Sequence, residues 1–163
     1  MAKKSYGKLN KYLSEIIAKL MENQELCKFL YYYEPDIDII NQPDVNIKSS
    51  IINKKILKNK ILSEVQKEVA CTIGIRIKEV SYSSSKIDSI RVGFYVICHE
   101  SLLNTNYGQR DLAVVQLIHN ICNTEKFGIG KSKHFFTRDL PALNQYYVGY
   151  EVLYDFFDFN YEI

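Results

Sequence analysis

The residues with the greatest chemical capacity are His99, His119 and His134 together with Cys27, Cys71, Cys98 and Cys122. His119 and Cys122 stand three apart, so on a helix they share one face and offer two of the four ligands of a tetrahedral zinc site. Cys98, His99 and His134 would have to complete it. The tight paired spacing of such sites is absent, and Cys98 and His99, as neighbours, point to opposite faces of a strand. Buried thiols and a half-buried imidazole account for the pattern more simply, so no metal is expected. A Cys/His nucleophile is unsupported by anything else in the chain.

Gly128-Ile129-Gly130-Lys131-Ser132 resembles the end of a phosphate-binding loop, but the full pattern needs glycine at position 125, where Glu125 stands. Such a loop also leads into a helix whose N–H groups aim at phosphate. Here the helical pattern comes first, so a glycine-permitted turn is expected, and no cofactor. There is no GxSxG or HExxH run. Asp36, Asp38 and Asp44 fall in a proline-containing stretch where turn-forming acids are common. The expectation is a protein that is not an enzyme.

Elements that would position these residues can be read from periodicity. Leu9, Tyr12, Leu13, Ile16, Ile17, Leu20, Cys27 and Leu30 make one apolar stripe, which predicts a helix over 9–32 ending before Pro35. A loop follows over 34–48. Lys48 to Lys60 contains five lysines and no acid, as a short helix or an extended arm. Alternation predicts strands over 69–80 and 90–99, joined by the serine-rich 81–88. A nearly all-apolar helix fits 109–123 and is expected to lie between a sheet and a second helix or partner. A short strand near 134–137 and a last strand over 146–154 complete the set. The order α-β-β-α-β-β predicts an α+β two-layer domain, with a four-stranded sheet, antiparallel or mixed, packed by two helices and followed by a C-terminal extension.

At 163 residues the chain fits a single domain over 1–163: helix 9–32, loop and basic arm 34–68, sheet and second helix 69–155, tail 156–163. Charge is uneven within it. Residues 1–86 carry a net +5 and 87–163 a net −3, while the whole is +2. No apolar run suits an export signal or a membrane span, so synthesis in the cytoplasm with reduced thiols is expected. The Ile, Lys, Asn and Tyr excess reads as AT-rich coding.

Between Tyr146 and Tyr161 lie eight aromatic residues, more than one strand face can bury. Aromatics are enriched in interfaces. Lys54, Lys55, Lys58, Lys60, Tyr150, Tyr154, Phe156, Phe157, Phe159 and Tyr161 are therefore the candidate subunit or partner contacts, basic arm against acidic tail. The four lysines would equally suit a small nucleic-acid-binding module, although the chain has only four arginines and no base-stacking motif.

The order of blocks is similar to a known group. Leu9-Asn10-Lys11-Tyr12-Leu13-Ser14-Glu15-Ile16-Ile17-Ala18-Lys19-Leu20, continuing to Leu26-Cys27-Lys28-Phe29-Leu30-Tyr31-Tyr32, resembles the first helix of bacteriophage neck and tail-completion proteins. Arg91-Val92-Gly93-Phe94-Tyr95-Val96-Ile97-Cys98-His99, then Tyr107-Gly108-Gln109-Arg110-Asp111-Leu112 and the apolar helix, resemble the strand, loop and helix of tail terminators. Tyr147-Val148-Gly149-Tyr150-Glu151-Val152-Leu153-Tyr154 resembles their last strand. The resemblance implies a virion structural protein, made in the bacterial host cytoplasm and located in the tail or neck. It would form a homo-oligomeric ring, commonly a hexamer, that ends the tail tube and joins the head connector. A head-closure or adaptor ring of the neck is the related alternative. The implied partners are further copies of the chain, the tail tube protein, the head connector or adaptor and, in a sheathed tail, the sheath. DNA would pass through only as cargo, and no membrane is involved.

Overall fold

Leu13, Ile16 and Leu20 recur at helical spacing and are each at most 1% exposed, which anchors helix α1, Lys3–Glu22, in the core. The structure is a computed structural model, and it describes residues 3–34, 36–58, 68–84, 86–124, 127–128, 130–140 and 146–158. The single helix expected over 9–32 is two helices. Asn23 stops α1 and caps α2, Gln24–Tyr31, its side-chain oxygen accepting from the Leu26 N–H at 2.8 Å. An extended backbone at the cap with a side-chain acceptor is what a helix start requires. The buried set Leu26, Cys27, Phe29 and Leu30 then continues the apolar stripe in a new direction.

Asn46 repeats the device at α3, Ile47–Ser50, accepting from the Ser49 N–H. The basic segment continues through a turn into a short strand, β1, Ile56–Lys58. Strands β2, Cys71–Ser83, and β3, Lys86–His99, extend further into the serine-rich link than alternation alone indicated. A 3-10 turn, Glu100–Leu102, and a two-residue ribbon, β4 Asn104–Thr105 with β5 Gly108–Gln109, lead into α4, Arg110–Thr124. Strands β6, Gly130–Asp139, and β7, Tyr147–Asp158, follow.

The class is α+β as read, but the count differs: five strands in the main sheet, order β1-β2-β3-β7-β6, plus the β4-β5 ribbon, with four helices among the described residues. β1 lies parallel to β2, and the β2–β3, β3–β7 and β6–β7 pairings are antiparallel, so the sheet is mixed. β7, the last strand in the sequence, sits between β3 and β6. Gly149 is required there, because a Cβ would lie 1.9 Å from the Val96 carbonyl oxygen.

Alternation divides the sheet cleanly. Ile73, Ile75, Ile90, Val92, Phe94, Val96, Val152, Tyr154 and Phe156 face the helices and form the core with Leu13, Leu20, Leu30 and Ile118. Burying each such aliphatic or aromatic side chain contributes about 1.5–3 kcal/mol. α4 packs against β3, β6 and β7 on one side and α2 on the other. That double contact explains its nearly all-apolar sequence. It leaves Leu112, Gln116 and Asn120, at intervals of four, exposed.

The opposite sheet face is charged. Arg91 donates to both carboxylate oxygens of Asp155, at 2.7 and 3.0 Å, and to Glu79 at 3.0 Å. Beside it Glu151, 1% exposed, lies 3.3 Å from Lys78 and accepts from Arg138 at 2.7 Å. Burial pushes the Glu151 carboxyl up, and bonds from Tyr95, Arg138 and Lys78 more than offset this, holding it below the ordinary carboxylate value. Glu151 and Asp155, acids of the net-negative second half, are thus paired across strands.

Candidate functional site

The basic segment is largely committed to its own chain. Lys54 Nζ donates to the Ser49 carbonyl at 2.7 Å, Lys58 Nζ to Ser14 Oγ at 3.2 Å, and Lys55 Nζ sits 4.8 Å over the Tyr33 ring. Burial lowers the Lys55 pKa. Lys60 lies outside the described residues.

The aromatic end divides in a way the sequence did not reveal. Because β7 runs to Asp158 rather than stopping near Tyr154, Tyr154 and Phe156 fall on the core face and are 0% exposed. Each packs edge-on, Tyr154 against Phe94 and Phe156 against Phe127. Tyr150 is half-buried beside Asp111 and Asp139 in a pocket of about 330 Å³. Phe157 is half-buried on the charged face. Phe159 and Tyr161 lie outside the described residues. The four lysines and the aromatic tail therefore do not form one site among the described residues.

Two of the histidines do meet. The His119 and His134 rings are 4.7 Å apart, His119 Nδ1 is 2.6 Å from the Tyr154 hydroxyl, and the Nε2 atoms of both rings are within 3.4 Å of Thr137 Oγ1. Burial, then the neighbouring His134, lowers the His119 pKa. Cys122 is buried, its thiol pushed up by burial. Cys98 lies opposite Cys71 across β2 and β3, and all four cysteines are free and buried. The Cys71 contact and burial raise the Cys98 thiol far above its usual value. Among the described residues no three His, Cys, Asp or Glu side chains gather as a metal-ligating group. Gly128 donates its N–H to Glu15, and Gly130, at φ 120°, opens β6. The glycines thus serve a turn from helix to strand.

Residues that sequence reasoning missed come from distant segments. Arg110, 2% exposed, donates to the Leu102 carbonyl at 2.8 Å and the Phe29 carbonyl at 2.6 Å, and lies 5.2 Å over Tyr33. It ties the start of α4 to α2. Next to that joint a groove of about 490 Å³ runs between α2 and α4, lined among others by Glu25, Phe29, Ile40, Tyr107 and Leu112. Ile40, Tyr107 and Leu112 are 38%, 42% and 45% exposed. The Tyr107 hydroxyl donates to Asp38, a bond that lowers the Asp38 pKa. Glu25, Asp36, Asp38 and Asp44 are all exposed around this region, with Lys28 3.2 Å from Asp44.

The second distinctive surface is β6. It pairs with β7 on one edge, and no strand among the described residues pairs with the other. Lys131, Lys133, Phe135 and Arg138 are exposed along it. A register shift between His134 and Phe136 puts Phe135 against Arg91, whose guanidinium carbon is 3.6 Å from the ring centroid. An edge strand presents unpaired backbone groups to other chains, and charge with a bulge is the usual protection.

No helix among the described residues is long and apolar enough to cross a membrane. No curated protein matches the chain. Residues 23–156 match the family YomW, named after a phage-like gene of the Bacillus SPbeta prophage. That span begins at the α2 cap and ends at Phe156, so it takes in the groove, β6 and all of the main sheet but the last two residues of β7. The chain therefore belongs to the YomW family and is a phage-associated protein.

Proposed function

We propose that this protein is a structural component of a tailed phage particle. It self-associates into a ring, six-membered as the resemblance implies, at the head-to-tail junction, where the ring ends the tail tube and meets the head connector. The observation that carries the reading is the pairing, on one small chain, of an open basic edge strand, β6, with an acid-rimmed apolar groove between α2 and α4. Unlike surfaces on one protomer make heterologous contacts, which close into rings when the rotation allows. Family membership and the block order of the sequence support the phage setting.

The test has two arms. Light scattering with negative-stain electron microscopy on the purified protein should give a defined multimer with a central opening. Mass spectrometry of particles from a phage encoding the chain should find it in the tail or neck fraction. A monomer at all concentrations, together with its absence from particles, overturns the proposal.

A further inference from the structure

Two surfaces on this chain are complementary in both charge and polarity. The groove between α2 and α4 is apolar at its centre, with Ile40, Tyr107 and Leu112 exposed; Glu25 lines it, Asp38 accepts from Tyr107 beside it, and Asp44 lies close by, 3.2 Å from Lys28. The β6 edge reverses this arrangement: Phe135, 49% exposed, stands among Lys131, Lys133 and Arg138. The two cannot meet within one protomer, because β6 is the sheet's outer edge while the groove lies in the helical layer beyond α4.

We infer that the α2–α4 groove of one copy receives the β6 edge of the next, with Phe135 seated between Ile40 and Leu112 and the lysines against the acidic rim. This rests on the self-association proposed above and names its two faces. Four features support a second copy as occupant. Charge is opposite in sign on the two faces. An aromatic residue is the type that fills the centre of an interface. Arg91 behind Phe135 holds the ring in a fixed position, at 3.6 Å, so that little side-chain freedom is lost on docking. Phe135 also falls at a register shift, where a bulge interrupts the pairing of β6 with β7.

The contact is heterologous, residue set against different residue set, so a charge-reversal series can read it directly. Lys131→Glu with Lys133→Glu on β6, and separately Glu25→Lys with Asp44→Lys on the groove, should each weaken association at least ~10-fold by sedimentation, because like charges then face one another. Mixing the two variants pairs a reversed edge with a reversed groove and should restore association between them. Leu112→Arg, at a position that supports no fold contact from its exposed side, should also weaken it. Thermal unfolding of each variant checks that the fold is retained.

If wild-type protein associates and the reversals leave its affinity unchanged, the inference falls while the self-association reading stands. If the reversals weaken association but the mixture does not recover it, the pairing of these two faces is wrong. A wild-type monomer throughout overturns both.

Discussion

Arg110 illustrates how much of this molecule is decided by single side chains that carry no sequence motif. A guanidinium taken out of water must have its donors met, and here two carbonyls from separate segments, Leu102 and Phe29, meet them. Nothing in the run Gly108-Gln109-Arg110-Asp111-Leu112 announces that, because both acceptors are backbone atoms. His119 belongs to the same scale. Its imidazole is held below its ordinary 6.5, first by burial and then by His134. The unfolded chain therefore takes up a proton first as the pH falls, so the stabilising contribution is fully present above pH 6.5 and is lost as the pH falls through the folded value. Urea midpoints measured between about pH 5 and 8 should fall at the acid end, and His119→Gln should flatten that dependence. A midpoint profile identical in the variant would assign the pH dependence to other groups. The sequence showed His119 as a half-buried residue of an apolar helix; its proximity to His134 required the fold.

Elements were more legible than residues, for a definite physical reason. Alternation in β2, β3 and β7 and the apolar stripe of α1 and α4 are imposed by one-sided burial, and that survives in any single sequence. Boundaries were less legible. The break at Asn23 was hidden because Leu20, Leu26, Cys27 and Leu30 stay buried on both sides of it. Asn23→Ala should cost ~1 kcal/mol in chemical denaturation by removing the acceptor for the Leu26 N–H. No loss would mean that α2 is held by packing alone. β1 was unreadable because its strand partner among the described residues, β2, begins thirteen residues after it ends. The last strand runs on to Asp158 rather than ending near Tyr154, and Arg91 neutralises Asp155 from β3 with two hydrogen bonds as it does so. That is also why Phe156, expected at an interface, is in the core.

At the scale of the whole molecule the sequence's +5 and −3 halves suggested a polarity of charge. The structure distributes it differently. Much of the basic arm is bound internally, and two acids of the second half, Glu151 and Asp155, are paired on the sheet's charged face. The polarity that faces solvent runs instead between the acidic groove rim and the basic β6 edge. That site was not legible because its residues, Glu25, Ile40, Tyr107 and Leu112, come from three separate segments. If the two faces bind one another, association must depend on ionic strength. Raising salt from ~0.1 M to ~1 M shortens the screening length from about 10 Å to about 3 Å. Sedimentation across that range should show smaller species at high salt. An unchanged or larger assembly would point to an apolar contact without the charged rim.

The place of β7 in the sheet has a consequence for how the chain comes off the ribosome. Strands β3 and β6 each lack their shared neighbour until residues 147–158 have been made, so the β3–β7 and β6–β7 pairings wait for that segment, whereas β2 and β3 can pair before it. Completion of the sheet therefore follows the synthesis of β7, with two open edges held apart until that single insertion joins them. A chain cut short before residue 147 would expose both edges permanently and be cleared or aggregate.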